Sequence, residues 1–163
     1  KLTTAKQCVA VCSEALECFG GAGYVEDTGL PALLRDAQVF PIWEGTTNVL
    51  ALDALRTASG GTALRSLSAV VYDIEGKIAD PEFQGSVARA REAMEKVRHA
   101  ITHLSSGEQE RNARRIALTL GRALALALLC AQAQWSLGNG QDPSSTASAR
   151  RFRIADLGGG LDA

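Results

Sequence analysis

Beyond Gly60-Gly61, apolar residues recur three and four positions apart. Leu64, Leu67, Val71, Ile74 and Ile78 form one such set, and Val87, Ala90, Met94, Val97, Ile101 and Leu104 form another. Each set lines one face of a helix, so two amphipathic helices are predicted, separated by Asp80-Pro81. Ser105 and Glu108 have the spacing of a capping box, which starts a third helix running from about Gln109 to Leu137. Its middle, Leu118 to Ala133, is apolar nearly all round, as in a helix central to a bundle or buried against a second domain. Gly138-Asn139-Gly140 stops it. The polar linker Pro143-Ser144-Ser145-Thr146 can cap a short last helix. Arg150-Arg151-Phe152-Arg153 and Gly158-Gly159-Gly160 predict a mobile tail.

The first part of the chain is punctuated differently. Residues 2–19 contain no Gly or Pro and read as a helix that Gly20-Gly21 ends. Gly20 to Tyr24 is a turn rich in positions that tolerate positive φ, and a loop continues through Gly29. Leu30 to Asp36 reads as a short helix with Pro31 in its first turn. Val39 to Glu44 is expected to be irregular, because Pro41 removes a backbone donor. A further helix is expected from Gly45-Thr46-Thr47 to about Ala58, with Thr46 or Thr47 as its N-cap. No strand pattern or internal repeat is present. Abundant Ala and Leu with few aromatic residues favour helix as well. The expected architecture is all-α: a helical bundle segment over residues 1–58, followed by additional helices over 59–163.

Charge narrows the partners only a little. The net charge is −1; residues 1–58 carry 4 basic and 7 acidic side chains, and residues 59–163 carry 13 and 11. Arg111, Arg114, Arg115 and Arg122 form a basic stripe on the third helix. Acidic residues interleave with it, so a solvated, salt-bridged face is expected before a phosphate-binding one. The four cysteines, Cys8, Cys12, Cys18 and Cys130, contain no C-x-x-C pair, and the helical spacing of Cys8 and Cys12 does not suit a disulfide. They are expected to be buried free thiols in a reducing compartment. His99 and His103 lie one turn apart but lack the Glu of a zinc motif and a third ligand, so no metal site is expected. The apolar run Ala123–Ala131 is too short to span a bilayer. No signal peptide is visible, and the chain opens at Lys1 within a predicted helix, as a piece of a longer polypeptide would. An intracellular location is expected, mitochondrial in a eukaryote and cytoplasmic in a bacterium.

One carboxylate has surroundings suited to chemistry. Glu44 lies between Trp43 and Gly45, just before a helix. An indole on one side and a bare backbone on the other can partly desolvate a carboxylate and strengthen it as a base. Gly45 allows a substrate to approach the backbone closely. A Glu in a first helical turn is otherwise an ordinary dipole-favoured residue. Gly20-Gly21-Ala22-Gly23 comes after no strand and lacks the Lys-Ser/Thr ending of a phosphate loop, so by itself it is a helix-stopping turn.

Three blocks occur in order: Glu17-Cys18-Phe19-Gly20-Gly21-Ala22-Gly23-Tyr24, Arg35-Asp36-Ala37, and Ile42-Trp43-Glu44-Gly45-Thr46-Thr47-Asn48-Val49. Together they resemble the signature end of the acyl-CoA dehydrogenases, over about residues 5–56. The helical region after them resembles the branches with a C-terminal extension. The wording around Trp43-Glu44-Gly45, with Glu17 before the glycine pair, is most similar to the alkylation-response (AidB-type) branch, whose members bind DNA.

The resemblance implies an FAD-dependent enzyme that desaturates an acyl-CoA thioester and passes electrons to an acceptor flavoprotein. Glu44 matches the base that removes the α-proton. Gly45 matches the position packed against the thioester. Thr46 and Asn48 match FAD-contacting positions. Glu17, Cys18, Phe19, Gly20 and Gly21 match the segment that reaches the ADP part of an FAD held mainly by a neighbouring subunit, which implies a homodimer or homotetramer. Two residues depart from the family pattern. Glu17 replaces a usual glutamine and sets an anion towards a region that carries phosphates; Asn48 replaces a longer glutamine. The chain lacks the family's N-terminal helical domain and β-domain, so by itself it is expected neither to hold FAD tightly nor to turn over. The alternatives are a DNA-binding alkylation-response flavoprotein and an oligomerisation module without catalysis.

Overall fold

The computed structural model describes residues 1–140, 143–153 and 157. It is all-α, with seven α-helices and two short 3₁₀ turns among those residues. The chain divides into two compact units, residues 1–51 and 52–163, with the division inside α3.

The first unit is built on α1 (Leu2–Glu17) and α2 (Leu30–Val39), which pack on each other. The 3₁₀ turns Gly20–Gly23 and Glu26–Thr28 join them. Helix α2 runs a turn beyond the predicted Asp36, because Pro41 constrains only the residues next to it and leaves the turn before it free to stay helical. The expected irregular stretch is therefore short: Ile42 N–H and Trp43 N–H both donate to the Val39 carbonyl at 2.9 Å. Helix α3 (Thr47–Ser59) comes next.

The second unit holds the larger core. Helices α4 (Thr62–Lys77), α5 (Pro81–His103), α6 (Ser106–Gly138) and α7 (Ser144–Phe152) form a bundle in which α6 packs against the other three. Both predicted stripes face inward. Val71, Val87, Ala90, Met94 and Val97 are 1% exposed or less, and Ile116, Ala123, Leu126 and Ala127 of α6, the helix that α4 and α5 pack against, are equally closed to water. Caps fix the helix starts. The Asp80 carboxylate accepts the Glu82 N–H at 2.8 Å, and the Ser105 N–H donates to Glu108 at 2.9 Å.

At 33 residues α6 is the one described helix long and apolar enough to cross a bilayer, with an 18-residue window of mean hydropathy 1.8. Its role in this fold is to supply the core. Ala113, Ile116, Leu120, Ala123, Leu126, Cys130 and Ala133 are buried along its length.

Two expectations are corrected here. Arg150 to Phe152 do not belong to a mobile tail but close α7. Arg150 clamps the Glu82 carboxylate of α5 through Nε at 2.9 Å and Nη2 at 2.8 Å. The predicted tail glycines Gly158–Gly160 lie outside the described residues. The cysteines are not uniformly buried either: Cys130 is, Cys8 and Cys12 are half-buried and Cys18 is exposed. Burial pushes the Cys130 thiol up to about 11.

Candidate active site

The predicted site residues fall into two groups, both in the first unit. Glu17 ends α1, Cys18 caps it, and Phe19, Gly20 and Gly21 lead into the first 3₁₀ turn; all five are exposed. The turn folds back tightly because Gly23 has no side chain. A Cβ there would lie 2.1 Å from the Leu16 carbonyl oxygen. Thr28 and Arg35 fix the connection from this turn to α2. The Thr28 hydroxyl donates to the Ala22 carbonyl at 2.7 Å, and Arg35 of α2 holds Glu26 bidentately at 2.8 and 2.9 Å. The Arg35 hydrogen bonds keep the Glu26 carboxyl below the usual carboxylate range.

The second group surrounds Glu44. Glu44 has φ +53°, the one non-glycine residue with positive φ among those described, and Gly45 beside it has φ +110°. A left-handed conformation costs a residue with a side chain on the order of 1 kcal/mol, so it persists only where neighbours enforce it. The Lys1 ammonium is one enforcer. It donates to the Trp43 carbonyl and, at 3.1 Å, to the Gly45 carbonyl, bracketing Glu44. Leu50 is another. A Cβ on Gly45 would stand 3.1 Å from Leu50 Cδ2, so the backbone at 45 lies directly on that side chain. The Thr46 carbonyl accepts the Leu50 N–H at 3.0 Å and starts α3.

Glu44 is exposed, as are Trp43, Thr46 and Asn48, while Gly45 is partly covered. The expected desolvation of Glu44 is thus not supplied by this chain, because Trp43 lies 53% open beside it. A surface laid over Trp43 and Gly45 would be needed to remove water.

The two groups are not brought together. Lys1 caps the start of α1 and ties the Glu44 loop there, whereas Glu17 to Gly21 sit at the other end of this 16-residue helix, about 24 Å away along its axis. Neither Lys1 nor the Arg35–Glu26 clamp was legible as part of the site. Their partners lie 42 to 44 and 9 residues away, outside any helical period.

The residues partly fit an elongated anionic cofactor. A Cβ on Gly20 or Gly21 would meet nothing within 4 Å, so a ligand can approach the backbone there. The exposed Thr46 hydroxyl and Asn48 amide stand at the start of α3, where free N–H groups favour negative or carbonyl partners. Glu17 is the misfit, since its carboxylate would face phosphate charge.

Family models match both parts of the chain. Residues 1–58 match the acyl-CoA dehydrogenase C-terminal domain, and residues 63–158 match the acyl-CoA dehydrogenase 11 C-terminal domain-like family. Acyl-CoA dehydrogenase family member 11 of Caenorhabditis elegans is 45% identical over 138 residues, covering 79% of this chain and 22% of that protein. The putative acyl-CoA dehydrogenase AidB of Escherichia coli is 33% identical over 107 residues, covering 63% of this chain and 20% of that protein. The chain thus spans about a fifth of these relatives. The crystal structure of C. elegans ACDH-11 in complex with C11-CoA superposes with a TM-score of 0.83 at 38% identity, covering 96% of this chain and 28% of that one. The expected AidB-type branch gives way to the acyl-CoA dehydrogenase 11 type, because the second half of the chain carries that likeness.

Proposed function

The chain belongs to the acyl-CoA dehydrogenase family, with an acyl-CoA dehydrogenase 11-like C-terminal domain, and on that premise we propose that it is the end of an FAD-dependent enzyme desaturating an acyl-CoA thioester. Residues 1–58 are the last part of the catalytic helical bundle, and residues 59–163 are a helical extension. The observation that carries the reading is Glu44, an exposed carboxylate in left-handed backbone whose two flanking carbonyls are held by one ammonium. Such conformations persist where a side chain must be presented in one direction.

Each residue of the loop has a distinct role. The Glu44 carboxylate takes the proton from the substrate α-carbon as general base. Gly45 lets the thioester lie against the backbone. Lys1 positions the loop without touching substrate. Bound FAD supplies the acceptor for the β-hydrogen as hydride. Thr46, Asn48 and the exposed backbone of Glu17–Gly21 would hold it, with the Glu17 carboxylate kept off its phosphates, and the length of α1 between the two groups supports their serving different FAD molecules in a homodimer or homotetramer. The ACDH-11 crystal structure holds C11-CoA, which supports an acyl-CoA as substrate here. An acceptor flavoprotein takes the electrons onward.

The test is anaerobic bleaching of flavin absorbance by an acyl-CoA in the longer protein that contains this chain. Glu44→Gln should lower the rate by about 10²–10⁴-fold, the usual worth of a positioned base, with FAD content unchanged. Bleaching at the wild-type rate would remove Glu44 from the mechanism.

A further inference from the structure

A groove of about 450 Å³ opens in the second unit where α4 begins beside the C-terminal half of α5. That volume is within the range of small-molecule sites. Its lining is mostly apolar, with Leu64 and Ala69 of α4, Ile101 of α5 and Ala58 from the end of α3. Three of its polar groups are already matched to one another. The Tyr72 hydroxyl donates to Glu95 at 2.6 Å, and Arg98 Nε donates to the other oxygen of that carboxylate at 2.7 Å.

Arg65 is different. It sits in the first turns of α4 on the rim of the groove, donates from Nη2 to the Thr62 hydroxyl at 3.1 Å, and meets no carboxylate among the described residues. Gly61, at the N-cap of α4, has no side chain to cap it, so the first N–H groups of the helix add positive potential at the same end. The groove is lined by two arginines and one glutamate, a net charge of +1 (2 − 1), and with Arg98 paired to Glu95 the excess is that of Arg65. We propose that this groove binds a medium-chain carboxylate, its head on Arg65 and its alkyl tail along Leu64, Ala69 and Ile101. One unmatched guanidinium suits one negative charge. A CoA head group, with several phosphates, would need several.

Isothermal titration of the 163-residue chain with decanoate below its micelle concentration tests this, with decanol as the uncharged control. One saturable site is expected, with decanol at least tenfold weaker. Arg65→Gln should weaken decanoate about tenfold, the worth of a charge-assisted hydrogen bond, while Arg65→Lys retains most of the affinity. Ala69→Trp, on the groove wall, should abolish binding with helical content unchanged. Absence of saturable binding, equal affinity for decanol, or wild-type affinity in either Arg65→Gln or Ala69→Trp would overturn the proposal. So would concentration-dependent dimerisation that Ala69→Trp abolishes without any decanoate binding, which would assign the groove to a second copy of the chain.

Discussion

At the scale of single residues, the site depends on two places where the backbone has no alternative. Gly23 is one, because any side chain would collide with the Leu16 carbonyl at 2.1 Å. Gly23→Ala should cost on the order of 3 kcal/mol of unfolding free energy in a denaturant titration, since backbone rather than a mobile side chain would have to move. A loss below about 0.5 kcal/mol, the range of an ordinary surface substitution, would show that the turn gives way easily. The other place is Glu44, where Lys1 holds the carbonyls on either side. Lys1→Met should speed amide hydrogen exchange at residues 43–47 and leave the α5–α6 core unchanged. Equal exchange in both proteins would mean that the loop keeps its shape without the ammonium. The Glu-Gly pair before a helix was readable from the sequence. The clamp was not, because a lysine more than forty residues away has no periodic relation to the carbonyls it binds.

Elements show a similar division. The stripes of α4 and α5 were readable because a buried face repeats every turn, and Val71, Val87, Ala90, Met94 and Val97 are among the most deeply buried residues in the structure. Ends were less readable. Helix α2 continues to Val39, and α7 includes the arginines expected in a tail. The cause in α7 is a long-range ion pair. Arg150 and Glu82 are 68 residues apart, and their hydrogen bonds lower the Glu82 carboxyl below its usual range. This gives the pH effect a definite sign. A carboxylate with a lowered folded pKa stabilises the fold at every pH above its unfolded value, roughly 4.3, and that contribution is lost as pH falls through the folded value. Helix α7 should stay docked at neutral pH and loosen on acidification below the ordinary carboxylate range. Glu82→Gln should remove this acid-dependent step from hydrogen exchange in residues 144–152. An identical acid profile in the variant would place the dependence on another group.

On the scale of the molecule, the first unit leaves much apolar surface open. Phe19, Phe40, Ile42 and Trp43 are each at least 46% exposed. Apolar surface of this kind next to candidate site residues marks a face made to be covered. It fits a chain spanning about a fifth of its relatives' length. On this account, neighbouring parts of the longer protein and its other subunits exclude water from Glu44, a task that Trp43 alone does not perform. The carboxylate is readable in the sequence, whereas nothing among the described residues covers it, since Trp43 beside it is 53% exposed. Removal of a proton from the substrate α-carbon is the step assigned to this chain's own side chain. It is read most directly by mass spectrometry of deuterium uptake from D₂O into the α-carbon of a bound acyl-CoA, with the FAD-loaded longer protein. The account predicts uptake by the wild type and its loss, by about a hundredfold or more, in Glu44→Gln with the acyl-CoA still bound. Undiminished uptake in that variant would contradict it.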